Sequence, residues 1–461
     1  MRKEYTLILV VGLFLTTVLL KANNIVVQNV TTTGNNAANK TIQVQFDLSW
    51  DNSWRDAINY DAAWLFIKFK DANGLWQHAL LNTTGFANGT GTANTLQVTA
   101  DQIGAWVYRS ALGTGTFNST SMQLQWNYGQ SGLTGVTGLE IRLFAIEMVY
   151  IPEGEFNVAK AFNNSTTTSN SGLVYRNFNA PGNNHPVINT RLSPTLSYND
   201  GTNTATIRIK GDAGIDADNN GTVDNTTYPI GYRAFYCYKY ELSEQQYADF
   251  LNTLTSAQIT TLGVAGTGIT LNNGQYFSST PNKACGNSTA IRLLAYADWS
   301  GVRPMTLLEF NKVSYGPLQP VYYLNNCYLS YYILSGYPAW GSASAGGCNY
   351  ASNGATLANV GSFATATSTR VQAGASYYGV LDLTGNAHEP VVKMNYFTFQ
   401  NSNGNGVLAS NGNADVSNWN STTMTMYIDM ICNGYNSPLH PSCLQVFLAT
   451  KYGFRYVRSV E

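Results

Sequence analysis

From Ile25 to about Met148 apolar and polar residues alternate with a period of two, and this alternation most tightly limits what the chain can fold into. A strand points successive side chains to opposite faces, so a sheet with one face on a core and one in water reads apolar, polar, apolar. Ile42, Val44, Phe46 and Leu48 alternate with Gln43, Gln45 and Asp47; Met122, Leu124 and Trp126 repeat the pattern, and Leu139, Ile141 and Leu143 follow. Trp64-Leu65-Phe66-Ile67 is apolar without interruption, as expected of a strand covered on both faces. Links rich in Asn, Gly and Thr, such as Asn82-Thr83-Thr84-Gly85 and Gly113-Thr114-Gly115-Thr116, are expected to turn the chain. About seven short strands at this spacing read as an antiparallel immunoglobulin-like sandwich, with a small barrel as the alternative.

Helical spacing enters in the second half. Ser243 and Gln246 form a capping box, Leu242 and Tyr247 a staple, and Tyr247, Phe250, Leu251 and Leu254 one apolar face. A second helix is expected from about Ser288 to Trp299, with Ile291, Leu294, Ala295 and Ala297-Asp298-Trp299 leading to Gly301 as its stop. Thr306 and Glu309 box the start of a third, which Gly316 ends. Past Gly316 the chain reads as loop, turn and short strand, with Asn-Gly runs at 401–406 and 410–413. Long irregular segments commonly carry function or assembly.

With 461 residues, 44% of them apolar, the chain can bury one large core or two ordinary ones. Only 11% of its residues are charged and the net charge is -1, against a usual charged share of about 25%. That excludes electrostatic attraction to nucleic acid or to an acidic membrane. Solubility falls to Asn, Thr, Ser and Gly, while 30 Tyr, 19 Phe and 9 Trp supply amphipathic surface. Such a surface suits contact with sugar or with copies of itself, because little like-charge repulsion opposes it. Arg2 and Lys3 precede an apolar run from Leu7 to Leu20 that is short for a membrane span. Residues 1–22 therefore read as a secretory signal peptide cleaved after Ala22. No later stretch is long and apolar enough to span, so the mature chain is expected outside the cell, soluble or assembled at its surface.

Six cysteines, Cys237, Cys285, Cys327, Cys348, Cys432 and Cys443, lie in the second half and are candidates for disulfides in an oxidising compartment. The sequence chooses no pairing; the local options are Cys327 with Cys348 and Cys432 with Cys443. Asp216, Asp218, Asn220, Thr222 and Asp224 match the odd positions of a Ca²⁺-loop template, with Gly221 at its sharp turn. Thr227 stands where the bidentate Glu would be, so this is either a weak Ca²⁺ loop or an Asn/Asp-rich turn without metal. Structural Ca²⁺ is the one cofactor the sequence suggests. His78, His185, His388 and His440 are scattered, without ligand spacing, and read as surface or core histidines.

Three segments resemble the formylglycine-generating (sulfatase-modifying) enzyme superfamily. They are Tyr296-Ala297-Asp298-Trp299-Ser300-Gly301-Val302-Arg303-Pro304-Met305-Thr306, then Tyr377 through Gly385-Asn386-Ala387-His388-Glu389, then Gly453-Phe454-Arg455. Met148 to Phe156 resembles the family's opening strand. With the β-sandwich domain placed at 23–146 by its alternation, the resemblance implies an α+β chain whose second domain, 147–461, is C-type-lectin-like with little regular secondary structure, the two packed rigidly for want of a linker. Its fold-motif residues here are Asp298, Trp299, Arg303, Pro304, Glu309, Gly385, Asn386, Glu389, Gly453, Phe454 and Arg455. His388 replaces the family's Trp, and Asn386 and Glu389 are expected to organise the fold by hydrogen bonds or to bind a structural Ca²⁺. Active members of the family bind copper(I) through two near-neighbour cysteines after an Arg-Gly-Gly motif, soft thiolates suiting that ion. Cys432 and Cys443 are eleven positions apart and no such motif precedes them, so neither copper nor iron, nor a catalytic residue, is expected. The function expected is that of an exported bacterial structural protein that assembles with itself into a filament or layer. The alternatives are a lectin-like receptor for glycans or other surface proteins, using loops between Asn395 and Tyr452, and a divergent copper or iron oxidase using Cys432 and Cys443.

Overall fold

A computed structural model describes residues 24–157, 187–188, 195–199, 204–208, 225–317, 357–362, 364–365, 368, 373–383, 386–392, 399–419, 428–431 and 452–460. Outside them lie the expected signal peptide, Asp216, Asp218, Asn220, Thr222, Asp224, Cys327, Cys348, Cys432, Cys443 and Gly385. The described chain is β-rich. Its first strands are β1 (Val26–Asn36), β2 (Thr41–Arg55), β3 (Asp61–Lys70), β4 (Trp76–His78), β5 (Thr90–Gly91), β6 (Asn94–Val98), β7 (Ala105–Arg109), β8 (Gly113–Asn127) and β9 (Ile141–Ile151). Then come β10 (Phe156–Asn157), β11 (Val187–Ile188), β12 (Thr195–Asn199), β13 (Thr204–Arg208), β14 (Phe235–Tyr238), α1 (Glu244–Leu251), α2 (Ser256–Leu262), β15 (Ile269–Asn272) and β16 (Gln275–Ser278). The last are α3 (Ala290–Trp299), β17 (Arg303–Pro304), α4 (Leu307–Tyr315), β18 (Glu389–Val392), β19 (Ile428–Ile431) and β20 (Tyr456–Ser459). Among the described residues no helix is long and apolar enough to cross a membrane.

The alternation of β2 and β8 builds one four-stranded antiparallel sheet, in the order β1-β2-β8-β5. Along β2, Ile42, Val44, Phe46, Leu48 and Trp50 are buried while the residues between them are half-exposed. These apolar side chains meet Ala63, Leu65 and Ile67 of β3 and Val107 of β7, so the first sheet lies face to face on a second. The second is eight-stranded, ordered β17-β20-β14-β9-β3-β7-β6 with β4 paired to β3. Its central strand β3 is buried on both faces, which is why its sequence does not alternate.

The other face of this central sheet presents Trp64, Phe66, Ile146, Met148, Tyr236 and Tyr456 to a helical layer, and Tyr247 and Phe250 of α1 and Leu294 and Trp299 of α3 fill it. Trp64 hands its indole N–H to Ser300 O at 2.8 Å, so the ring is buried without an orphaned donor. Beside the first sheet, on the same side of the central one, α4 covers the rest: Leu307, Phe310 and Val313 pack on Val149, Ile151, Phe235 and Val457. Each large side chain buried this way contributes about 1.5–3 kcal/mol.

The boundary expected between residues 146 and 147 falls inside β9. That strand runs unbroken from Ile141 to Ile151, pairing with β3 on one side and with β14 on the other. Strands from both halves of the chain thus share one sheet and one hydrogen-bonded ladder. Gly113-Thr114-Gly115-Thr116, expected as a link, is the opening of β8: Gly113, Thr114 and Gly115 pair with Arg55, Trp54 and Ser53. The long β2 supplies a partner for backbone that carries almost no side chain of its own, so the ladder extends past the sandwich.

The two helices expected to be boxed begin where their caps place them. Ser243 accepts from Gln246 N at the start of α1, and Thr306 from Glu309 N at the start of α4, which Gly316 ends. In α3, Thr289 is the N-cap, so the helix starts later than the expected Ser288; Leu294 and Ala295 are buried and Ile291 is exposed. Leu254 falls beyond α1, whose C-cap is Asn252. The short helix α2, absent from the expectation, is boxed by Thr255 and Gln258.

Candidate functional site

Where the motif residues meet, they form buried ion pairs that tie irregular segments to the central sheet. Arg303 on β17 donates to both oxygens of Glu309, to Oε2 at 2.8 Å and to Oε1 at 2.5 Å, and to Ser459 Oγ at 2.8 Å. Glu309 also accepts from Thr306 N at 3.0 Å, so one carboxylate closes the α4 capping box and neutralises the arginine. Pro304 sits opposite Tyr456 in the ladder. Asp298, at the end of α3, is fully buried and accepts from the backbone N–H groups of Asn405 at 2.9 Å and Asp415 at 2.8 Å. Burial pushes its carboxyl up to about 7, although those two N–H groups pull the other way. Gly404 passes so close to this corner that a Cβ there would lie 2.5 Å from Asp298 Cα, hence glycine.

Beside Asp298, Lys68 of β3 donates from Nζ to Gly406 O at 2.5 Å, with the ammonium 5.2 Å above the ring of Trp299. Burial holds the Lys68 pKa well below the usual lysine range. His78 is a core histidine, stacked on Phe66, its Nε2 2.6 Å from Ile103 O; His388 is half-buried near Tyr452. Both are far from any metal geometry: among the described residues no three His, Cys, Asp or Glu side chains are placed to hold an ion.

The second knot gathers Glu241, Asp382 and Glu389 around Arg455. Arg455 donates to Glu389 Oε1 at 3.3 Å, Tyr238 O at 3.1 Å and Leu381 O at 2.9 Å. Glu241 accepts from the Asn386 side-chain amide and from Ala387 N at 2.7 Å, and Asn386 in turn accepts from Ala358 N at 2.8 Å. Asp382 accepts from Gly361 N. Burial, then the neighbouring carboxylates, raises Glu241 well above its usual range; burial lifts Glu389 to about 8 against the pull of Arg455. Gly453 and Phe454 complete the corner. A Cβ on Gly453 would lie 2.5 Å from that of Ala387, and the Phe454 ring packs 5.4 Å from Tyr247.

A third knot involves none of the residues singled out in the sequence. Lys239, just after β14, reaches Asp61 at 2.9 Å and Glu147 at 3.0 Å, all three buried. Asp61 also accepts from Trp50 Nε1, Ser53 Oγ and Trp54 N at 2.9–3.1 Å. Burial acts against the Lys239 charge, and the two carboxylates outweigh it, so its pKa stands well above the usual range. A readable signal existed: Asp61, Glu147 and Lys239 each stand directly between apolar or aromatic neighbours, in a chain with few charges.

Cys237 and Cys285 carry free thiols on opposite faces of the central sheet, so these two do not cross-link to each other. Burial pushes Cys237 up to about 12 and Cys285 well above its usual value, so neither is a thiolate near neutral pH. A cavity of about 220 Å³ opens beside Tyr228, Arg233 and Asn401, but the Arg303–Glu309 pair on its wall is already satisfied.

The richest solvent-facing feature is a row of tyrosines across the central sheet. Tyr60 stacks between Tyr108 at 4.6 Å and Tyr150 at 4.9 Å and shares a hydroxyl contact of 3.1 Å with the buried Tyr236. The Arg55 guanidinium lies 4.4 Å from the Tyr60 ring centre. Burial raises Tyr60 to about 12, so its hydroxyl keeps its proton near neutral pH. Elsewhere, the outer face of the first sheet carries Thr31, Thr33, Gln43, Gln45, Gln123 and Gln125, with Gln123 donating to Gln45 at 3.0 Å. No protein-family model matches the chain, and no curated protein matches it either.

Proposed function

We propose that this is an exported, non-catalytic structural protein that assembles with copies of itself. Its frame is of the sulfatase-modifying, C-type-lectin-like kind, preceded by an immunoglobulin-like sandwich. One observation carries the reading: the ionisable groups of the motif segments are spent in buried pairs that fasten loops, while the outer sheet face is mostly hydroxyl and amide, with the Asp47 carboxylate among its few charges. Groups held in that way position backbone; they present nothing to a substrate. A face of amides and hydroxyls with so few charges, by contrast, meets its own copy with little charge repulsion.

Sedimentation velocity and electron microscopy of residues 23–461 test this. The expected result is concentration-dependent association that changes little between about 0.05 and 1 M salt, because few charges are there to be screened. A strict monomer at the highest attainable concentration overturns it.

A second reading, a lectin-like receptor, draws on the row of Tyr60, Tyr108 and Tyr150 with Arg55, whose ring edges, hydroxyls and guanidinium suit a neutral glycan. Calorimetry with cellohexaose and chitohexaose is the check. Binding by the wild type that Tyr108→Ala weakens at least about tenfold, about 1.4 kcal/mol, supports it, and no heat with either probe removes it.

A further inference from the structure

Strand β1 is the longest edge strand among the described residues, and it carries neither charge nor proline to guard it. Its eleven residues, Val26 to Asn36, contain no Lys, Arg, Asp, Glu or Pro, and most are exposed. Among the described residues it lies at the end of the first sheet and pairs with β2 alone. The other edges are blunter. Strands β5, β10 and β17 have two residues each, and at the five-residue β6 the side chains of Asn88 and Asn94 close on each other's backbone carbonyls. An edge strand displays unpaired N–H and C=O groups, and proteins ordinarily blunt a long one with charge, proline or bulges.

Bulges are present in β1, and their placement is informative. The register against β2 slips once between Gln28 and Thr31 and once between Thr33 and Asn36, with positive φ at Asn29 and Gly34. The two slips lie symmetrically about Thr32. A two-fold axis through Thr32 would set Thr31 against Thr33 of a second copy, Val30 against Gly34 and Asn29 against Asn35, bulge facing bulge. Thr31 and Thr33 stand opposite Gln45 and Gln43 on the outer face, whereas Thr32 stands opposite the buried Val44, so each pair falls on a common face.

We propose that β1 of one copy pairs antiparallel with β1 of another about Thr32, joining two four-stranded sheets into one of eight. Cross-strand threonines are a favourable pair, and no charge in β1 has to be desolvated. The contact is isologous and closes on itself as a dimer. This rests on the self-assembly reading above and names the surface it would use.

The test uses the mature protein and three variants. Thr31→Lys with Thr33→Lys places like charges opposite each other across the axis; both sites are exposed, so circular dichroism should match the wild type. The dimer dissociation constant should rise at least about tenfold. Thr32→Cys should oxidise to a covalent dimer, because directly opposed residues sit about 4.5–5.5 Å apart at Cα, within disulfide reach. Asn73→Cys, on an exposed turn, is the control that should not. If the wild type associates while the lysine variant does so equally and Thr32→Cys cross-links no more than Asn73→Cys, β1 pairing is overturned and assembly stands. A monomeric wild type overturns both.

Discussion

Lys239→Met is expected to lower the unfolding free energy by about 3–5 kcal/mol, a large share of the roughly 5–15 kcal/mol that holds an ordinary domain folded. The methionine fills the space of the lysine stem, so packing is nearly kept and the loss is electrostatic. Asp61 and Glu147 would be left buried with no cation, Asp61 at 0% and Glu147 at 2% exposure. The two are not equivalent once the lysine is gone. Asp61 keeps three donors from Trp50, Ser53 and Trp54, whereas Glu147 Oε2 loses the ammonium and its Oε1 has no hydrogen-bond partner among the described residues. Glu147→Gln added to Lys239→Met should therefore recover about 1–3 kcal/mol by removing the less supported charge. Urea midpoints at constant slope measure both. If Lys239→Met melts like the wild type, the triad does not hold the sheet halves as argued.

The same triad shows which parts of the fold were legible beforehand. Ile42 to Leu48 could be read because the pattern that makes a half-buried strand is written within seven residues, and the caps at Ser243 and Thr306 because a capping box spans only four. The continuity of β9 could not. Its partners, β3 and β14, lie far away in the sequence, and a pattern that looks like one domain ending and another opening is also that of a strand in the middle of a wide sheet. Arg303 on β17 and Glu309 in α4 are six positions apart and Glu389 and Arg455 are separated by 66; the family resemblance names all four as motif residues but pairs none of them. Lys239, Asp61 and Glu147 lay outside that resemblance and were missed. The tyrosine row was hidden for a related reason: Tyr60, Tyr108, Tyr150 and Tyr236 come from different strands, and only the register across the sheet lines them up.

Arg455→Met should produce a loss of similar size, about 3–5 kcal/mol near pH 8, with a dependence on pH that identifies its cause. Glu241, Asp382 and Glu389 all have carboxyls raised above their ordinary values, burial being the largest cause in each, and Arg455 lowers every one of them. Raised carboxyls mean that the folded state holds protons the unfolded chain releases. Their contribution to stability is complete below the ordinary carboxylate range and is lost as the pH climbs through the folded values, about 8 for Glu389. Removing the arginine lifts those values further and makes the loss steeper, by up to about 1.4 kcal/mol per pH unit for each proton involved. The gap between variant and wild type should thus be widest near pH 8 and should narrow toward pH 5, where the cluster is neutral without help. Buried lysines such as Lys68 titrate with the opposite sign, but they are common to both proteins and cancel in the difference. Asp382→Asn makes the argument specific: the asparagine can still accept from Gly361 N and tolerates the left-handed backbone at φ 57, while one carboxylate disappears. Added to Arg455→Met it should restore part of the stability at pH 8 and almost none at pH 5. A variant whose deficit is flat from pH 5 to 8 would mean that Arg455 serves through its three carbonyl and carboxylate contacts as packing, and not as the counter-charge of the cluster.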